Sequence, residues 1–368
     1  MTAPPAPDAA LLPLLDDLGG AVEDLLLTGL TTASEATLQK IDVAFREASR
    51  RRLLRLSAAL RVANEEIARF VGNKAGFSPR RLCFFLNRAW LLAQGMARAI
   101  RRGDRDELAR LLWTAASTPV GEIRVVTLGV LKKVAVGTFC SFEFRLRATR
   151  AAGSIAAGDA LIWSTVFALP TGTEIPAEGF LQMPQKQKFV ANVFLEGQEV
   201  VIHDAAVTSA GAARRIVLGD NSRVEAAGPF ADYARFRAWD AAGARDRLQK
   251  YRPGPLDLEV EMQEEVVLGD WRIAGEPETR DDIATYRIAS GGAVLEAPIS
   301  VGVEGAALRE ALAEIGKKSP PPLFGLMHYE RSRLTLLPLA TFGAKGMEHL
   351  MISKQSVDRK ALLKTLRF

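Results

Sequence analysis

The stretch EIRVVTLGVLKKVAVGTFCSFEFRLRAT, residues 122–149, marks a change from helical to strand periodicity along the chain. Within it, apolar residues at every second position, among them Cys140, Phe142 and Phe144, alternate with polar or charged ones. This alternation is typical of half-buried β-strands. More strand-like segments, separated by Gly and Asp turns, follow up to about residue 228. Together they predict a small β-barrel or β-sandwich, whose strand order the sequence leaves open.

Before this stretch, the apolar residues follow the 3.6-residue period of α-helices. The segment Thr32–Glu35 has the pattern of a capping box and predicts the start of one long amphipathic helix that runs to about residue 70. A second helix is predicted over about 80–102. It is hydrophobic nearly all round between Leu82 and Leu92, so we expect it at the centre of a bundle.

Beyond residue 251, strand-like and helix-like segments are mixed, with helices predicted at about 305–316 and 356–367. The predicted fold class is multi-domain α+β, with an N-terminal α-helical bundle, a central small β-barrel or sandwich and a C-terminal α+β region. The corresponding domain bounds are 1–117, 118–251 and 252–368. The sequence shows no internal repeat.

The composition excludes several classes of protein. The 368 residues include only two cysteines, each in a hydrophobic run, so a disulfide scaffold is excluded and a reducing, cytoplasmic location is expected. The N-terminal segment lacks the basic and apolar regions of a signal peptide. No uncharged apolar run reaches the length of a membrane span, so we expect no membrane association. The abundance of Ala and Arg favours a bacterial source.

The net charge of +5 conceals a segregation of charge along the chain. Residues 1–39 contain six acids and no Lys or Arg, whereas residues 40–102 contain fifteen basic and four acidic residues. Between Ile67 and Gly103 there is no acid at all. Such asymmetry indicates either a polyanionic partner or two segments of one chain that neutralise each other.

The arginines of the two predicted helices are therefore the candidate functional residues. On the first helix, acids at helical spacing predict the ion pairs Asp42 with Arg46, Glu47 with Arg51, Arg61 with Glu65, and Glu65 with Arg69. Arg50, Arg52 and Arg55 have no predicted partner on this helix. We predict a polyanion- or partner-binding surface that comprises Arg50, Arg51, Arg52, Arg55, Arg80, Arg81, Arg88, Arg98, Arg101 and Arg102.

The sequence offers only isolated candidate residues for catalytic chemistry. The sequence contains no phosphate-binding glycine loop, no nucleophile elbow and no zinc-protease motif. His203, followed by Asp204, has no nucleophile paired with it in sequence, and a structural role explains it. Asp257, Glu259 and Glu261 share one face of a predicted strand, where a solvated sheet face is the favoured interpretation over a Mg²⁺ or Ca²⁺ site. We expect no metal and no cofactor.

Three functions remain. The first is a non-catalytic adaptor or assembly subunit of a bacterial multi-protein system, which presents its basic helical surface to a protein partner with an acidic face. The alternative is a sequence-tolerant nucleic-acid-binding protein that contacts phosphates through the same helices. Trp163 and Phe167 would stack on bases in such a protein, although core packing explains them more simply. An enzyme that uses His203 or the carboxylate row ranks third.

Overall fold

A computed structural model describes residues 9–30, 34–73, 77–112, 117–135, 139–169, 176–210, 213–236, 239–252, 254–257, 262–315, 320–330, 333–343 and 346–353. The chain divides into two compact units. The helical unit comprises residues 1–116 together with 254–258, and the β unit comprises 117–253 and 259–368. The three predicted domain bounds stay a prediction, but the segment around residue 256 lies with the helical unit and not with the C-terminal region.

The helical unit contains α1 (Leu12–Thr28), α2 (Glu35–Arg50), α3 (Leu54–Val71), α4 (Pro79–Arg102) and α5 (Arg105–Leu112). Its core is a single cluster of apolar side chains, in which Leu60, Ile67 and Leu92 are fully buried. The predicted helical bundle is thus present. No helix among the residues listed above is both long and apolar enough to cross a membrane.

The single long helix predicted from Thr32 to about residue 70 is wrong, because the chain turns between α2 and α3. Arg52 has a φ of 58°, and the backbone N–H of Leu53 donates to Ala48 O at 2.9 Å while that of Arg52 donates to Ser49 O at 3.0 Å. This pair of bonds is a Schellman motif, in which glycine usually holds the left-handed position. Here an arginine holds it, and Leu53 is buried behind it.

The start of α2 also differs from the prediction. Its N-cap is Ser34, whose backbone N–H donates to Thr37 Oγ1 at 3.3 Å. Thr32 lies outside the described residues. The capping box therefore involves residues two positions further along the chain, which leaves the predicted helix itself in place.

The β unit begins with the closed barrel predicted as one of two architectures for this region. Its strands are β1 (Ser117–Ala135), β2 (Phe139–Ala148), β3 (Ala160–Ala168), β4 (Gln198–Ala210) and β5 (Ala213–Pro229), in the order β1-β2-β3-β5-β4. All neighbours are antiparallel except β3 and β5, which are parallel. This is the strand order of the OB-fold. Cys140, Phe142 and Phe144 are fully buried, as their alternation predicts.

The rest of the β unit repeats this connectivity. After α6 (Ala241–Lys250) come β6 (Gln263–Leu268), β7 (Arg272–Ile273), β8 (Glu278–Arg280), β9 (Ile283–Ser290), β10 (Ala293–Ser300), α7 (Val303–Ile315), β11 (Leu323–Glu330), β12 (Arg333–Gly343) and β13 (Gly346–His349). The sheet order is β6-β11-β12-β10-β9-β7, and β10 and β12 are parallel. β6 pairs with β11 and β7 pairs with β9, whereas in the barrel the single strand β1 pairs with both β4 and β2. The successive segments β6 and β7 together therefore correspond to β1. The predicted terminal helix at 356–367 lies outside the described residues.

The barrel and the second sheet pack together through a shared apolar cluster. Gly129 of β1 lies directly against Phe324 and Leu339, which are both fully buried. Beside this contact, Arg145 of β2 is 3% exposed and bonds to Gln263 at 2.6 Å, and Arg147 pairs with Glu265. A buried guanidinium requires partners of this kind, so these contacts hold β2 of the barrel against β6 of the second sheet.

Candidate polyanion-binding surface

The helix α4 carries six of the ten arginines predicted to form the surface. It begins after Ser78, whose Oγ accepts the backbone N–H of Arg81 at 3.2 Å, and ends at Gly103 in the left-handed conformation. These caps confirm the predicted start at Ser78-Pro79 and fix 24 residues as one rigid helix. Any arginines on one side of it therefore hold a constant spacing.

Three of these arginines lie on one exposed side of α4, and we call them the basic face: Arg80, Arg98 and Arg102. Arg80 and Arg98 are separated by five helical turns, so they point the same way about 27 Å apart, and Arg102 follows one turn later. All three are exposed. None of them makes a side-chain hydrogen bond or ion pair with any residue that the structure describes.

An exposed aromatic ring lies on the same side of α4 as the basic face. Phe84 is 55% exposed and packs edge-on against Phe85, with ring centroids 5.1 Å apart. α4 packs against α1, α3 and α5, as expected of a helix at the centre of the bundle, but the side that carries Phe84 is exposed. Leu82, Leu86 and Leu92 do face the core.

Two other arginines of α4 are held by acids of the same unit. Arg101 pairs with Asp16 of α1 at 2.7 Å. Arg81 bonds through Nε to Glu66 of α3 at 2.8 Å. Glu66 is completely buried and also accepts Arg69 and, at 2.8 Å, the backbone N–H of Ser78. The described part of the acidic N-terminal segment thus neutralises Arg101 and makes no ion pair with the basic face.

Glu66 is charged in the folded protein. Burial acts to raise its pKa, but the hydrogen bonds from Ser78 and Arg81 and the charges of Arg81 and Arg69 outweigh burial and hold the pKa below its ordinary value. Its contribution to stability is therefore present above pH 4.5 and is lost as the pH falls below this value.

We expect Glu66→Gln to lower the free energy of unfolding by about 2 kcal/mol at pH 7, because it removes the buried charge that two guanidinium groups share. Urea denaturation measures this change. Glu65→Gln is the matched control, since Glu65 is half exposed and its pair with Arg61 at 3.5 Å is a surface pair. Equal losses in the two variants would contradict a special role for Glu66.

The arginines at the end of α2 are exposed but mostly paired. Arg50 bonds to Glu47 at 2.8 Å, and Arg51 bonds to the same carboxylate at 3.3 Å. These contacts raise the pKa of Arg50 and lower that of Glu47. The expectation that Arg50 lacks a partner on its own helix is therefore wrong. Arg52 is exposed, and its side chain has no partner among the described residues.

Arg55 and Arg88 face the segment 254–257 and are therefore not part of the predicted surface. Arg55 is 6% exposed and donates to Arg110 O at 3.1 Å and to Leu256 O. Arg88 donates to Pro255 O at 3.4 Å, and burial lowers its pKa. The partners of Arg55 are main-chain carbonyls. Because every residue has a carbonyl, the sequence does not show which one Arg55 will bind. Asp257 completes this contact through Arg110 at 3.4 Å.

Other candidate residues do not assemble into a site. Trp163 is 5% exposed and stacks on Phe194 at 4.8 Å, so its ring belongs to the barrel core, and Phe167 packs against the same core. His203 lies 3.9 Å from Glu122 with no nucleophile bonded to it in the described chain. Glu259 and Glu261 lie outside the described residues, and Asp257 binds Arg110 instead of a strand neighbour. Among described residues, no His, Cys, Asp and Glu side chains form a metal-binding cluster.

Comparison with known proteins assigns this chain to no family. No family model matches the sequence, and no curated protein matches it. Similar solved structures include the tetrameric p202 HIN2, with 9% identity over 65% of this chain and 97% of that chain and a TM-score of 0.29. Another is the Ifi202 HINa domain in complex with 20bp dsDNA, with 8% identity over 60% of this chain and 93% of that chain and a TM-score of 0.29. A murine DNA binding protein bound with ds DNA gives 10% identity, 65% and 100% coverage and a TM-score of 0.27. TM-scores this low establish neither a shared fold nor a shared function.

Proposed function

We propose that the protein binds nucleic acid without sequence preference and contacts phosphates through the basic face of α4. The observation that carries this proposal is the set of three exposed guanidinium groups on one side of a capped helix, none of which has an acidic partner among the described residues. Elsewhere in the helical unit, Arg46, Arg50 and Arg61 all have acids beside them. Phosphate contacts by arginine need no detailed pattern and therefore leave no motif.

The spacing of the basic face favours an extended polyanion over a small anion. Arg80 and Arg98 lie about 27 Å apart, which no single phosphate group or dicarboxylate spans. A nucleic-acid strand presents charges continuously over such a distance. The exposed ring of Phe84 on the same side of α4 offers a stacking surface for an unpaired base. The OB-type strand order of the barrel is compatible with this function by analogy only, since a fold does not determine an activity.

The first experiment measures binding of the full chain to labelled single- and double-stranded DNA and RNA of mixed sequence across a salt series. Three phosphate contacts predict a slope of log affinity against log salt of about −2.7 for duplex and about −2.1 for single strands. Affinity should be independent of sequence. An absence of binding at low salt, or an affinity that is insensitive to salt, would overturn the proposal.

Reversing the charge of the basic face, with Arg80→Glu, Arg98→Glu and Arg102→Glu combined, should lower nucleic-acid affinity about 30-fold. The control combines Arg46→Glu, Arg50→Glu and Arg61→Glu, which changes the net charge equally at arginines that already have acidic partners. It should retain most of the affinity. If both triple variants lose affinity equally, overall charge and not the basic face governs binding.

The adaptor role predicted from the sequence is the second candidate function. It is favoured by the ring of Phe84, which is 55% exposed on the same side of α4 as the basic face, because aromatic residues and arginine are enriched at protein interfaces. A partner with an acidic face would occupy the basic face. The cytoplasmic location and the bacterial source stay predictions from the sequence.

A further inference from the structure

The β unit contains a cavity of about 380 Å³. It lies where the end of α6 meets the start of β6 and the end of β11. We call it the tyrosine pocket, and its lining residues are Arg247, Lys250, Tyr251, Arg252, Met262, Glu264 and Tyr329. Its volume falls in the range of small-molecule sites.

Two aromatic rings form the apolar part of the tyrosine pocket. The rings of Tyr251 and Tyr329 have centroids 5.0 Å apart and are tilted by 40°. At this separation no ligand fits between them, so a planar ligand would stack on one ring and meet the edge of the other. Met262 adds a polarizable thioether to the same wall. These groups are suited to a flat, aromatic ligand.

The charges of the pocket leave a positive excess. Glu264 accepts two hydrogen bonds from Arg247, at 2.8 and 2.7 Å, and one from the hydroxyl of Tyr329 at 2.7 Å. Its negative charge is therefore neutralised, and among the described residues it is the only acid in the lining. Lys250 and Arg252 remain as uncompensated cations.

Arg252 and Lys250 differ in the number of hydrogen bonds that hold their charged groups. The Nη1 atom of Arg252 donates to Gln249 O at 3.1 Å and to Tyr251 O at 2.7 Å, which orients the guanidinium while its other donors are left for a ligand. Lys250 is exposed, and its ammonium group has no partner within the described chain. An oriented guanidinium beside a mobile ammonium group is suited to a phosphate.

We propose that the tyrosine pocket binds a nucleoside monophosphate, either free or as one unit of a single-stranded nucleic acid. The base stacks on a tyrosine ring, and the phosphate contacts Lys250 and Arg252. The exocyclic amino group of a base would find an acceptor in Glu264. A simple phosphate would not use the aromatic wall, and an uncharged aromatic compound would not use the two cations. The proposal does not depend on the basic face, which belongs to the helical unit.

Isothermal titration calorimetry of the full chain with adenosine monophosphate, adenosine and inorganic phosphate tests the proposal. We expect adenosine monophosphate to bind at least about tenfold more tightly than either fragment, because only it engages both halves of the pocket. Tyr329→Ala and Lys250→Glu should each lower this affinity about tenfold. Tyr329→Phe, which keeps the ring, should lower it less. Arg272→Glu is the control, since Arg272 is exposed in the same unit and lies outside the pocket.

A mixed-sequence single-stranded oligonucleotide distinguishes the two sources of the ligand. Binding of adenosine monophosphate supports a free nucleotide. If only the oligonucleotide binds, and Tyr329→Ala and Lys250→Glu weaken it, the ligand is a unit of a strand. No binding of either probe, or binding that both pocket variants leave unchanged, overturns the proposal. The triple variant of the basic face should bind adenosine monophosphate as the wild type does, so failure of one proposal is separable from failure of the other.

Discussion

Gly129→Val is expected to lower the free energy of unfolding of the β unit by about 4 kcal/mol. A Cβ atom at this position would lie 2.6 Å from Phe324 Cδ1 and 2.8 Å from Leu339 Cβ, closer than side-chain carbons approach one another. Both neighbours are fully buried and have no free space to enter, so the barrel and the second sheet must separate locally. Chemical denaturation followed by circular dichroism measures the loss.

Gly121→Val is the matched control for this prediction. It places the same side chain on the same strand, β1, where nothing lies within 4 Å of the added Cβ atom. We expect its effect to stay within about 0.5 kcal/mol, since valine suits an exposed strand position. Similar losses for the two variants would show that strand chemistry and not the contact with Phe324 determines stability.

Acidification is expected to destabilise the protein through His349. Both ring nitrogens of His349 are buried without a hydrogen-bond partner in the described chain, and burial lowers its pKa from 6.5 to about 4. In the unfolded chain His349 therefore binds a proton below pH 6.5, whereas in the folded chain it binds one only below about pH 4. Stability contributed by neutral His349 is fully present above pH 6.5 and is lost as the pH falls. At pH 4.5 the loss amounts to about 2.5 kcal/mol.

The comparison of wild type with His349→Phe between pH 8 and pH 4.5 isolates this effect. The difference in unfolding free energy between the two proteins should change by about 2.5 kcal/mol over the range and should be constant above pH 7. The carboxylates of Glu310, Glu314 and Glu348 line the neighbouring cavity and act to stabilise a protonated ring. A difference that does not vary with pH would show that these carboxylates compensate for burial.

The strands of the barrel could be predicted because their signal is local. Cys140, Phe142 and Phe144 alternate with polar residues and are buried, as the period of a strand requires. The repeat of the barrel connectivity in the second sheet was invisible in the sequence, because the shared pattern resides in which strands pair and not in residue identity. The turn at Arg52 was missed for a related reason. The left-handed position of a Schellman motif is normally marked by glycine, and here it carries an arginine.

The candidate surface was predicted in part. Ion pairs between residues four apart on one helix were predictable, and Asp42 with Arg46 and Glu47 with Arg51 confirm this. The predicted pair of Glu65 with Arg69 is wrong, since Arg69 binds the buried Glu66. Partners distant in sequence, such as the carbonyl of Leu256 for Arg55, depend on the tertiary fold. The same holds for the tyrosine pocket, whose two rings are far apart in the chain.

The bond from Arg55 to Leu256 has a consequence for synthesis on the ribosome. The helical unit is discontinuous, and the buried guanidinium of Arg55 reaches the carbonyl of Leu256 only after the whole first barrel has been translated. At ordinary elongation rates this delay is on the order of ten seconds. During that interval the guanidinium of Arg55 has the carbonyl of Arg110 within reach but lacks that of Leu256. Completion of the N-terminal unit therefore waits for a peptide encoded well downstream, and truncation after residue 116 yields a protein that lacks this peptide permanently.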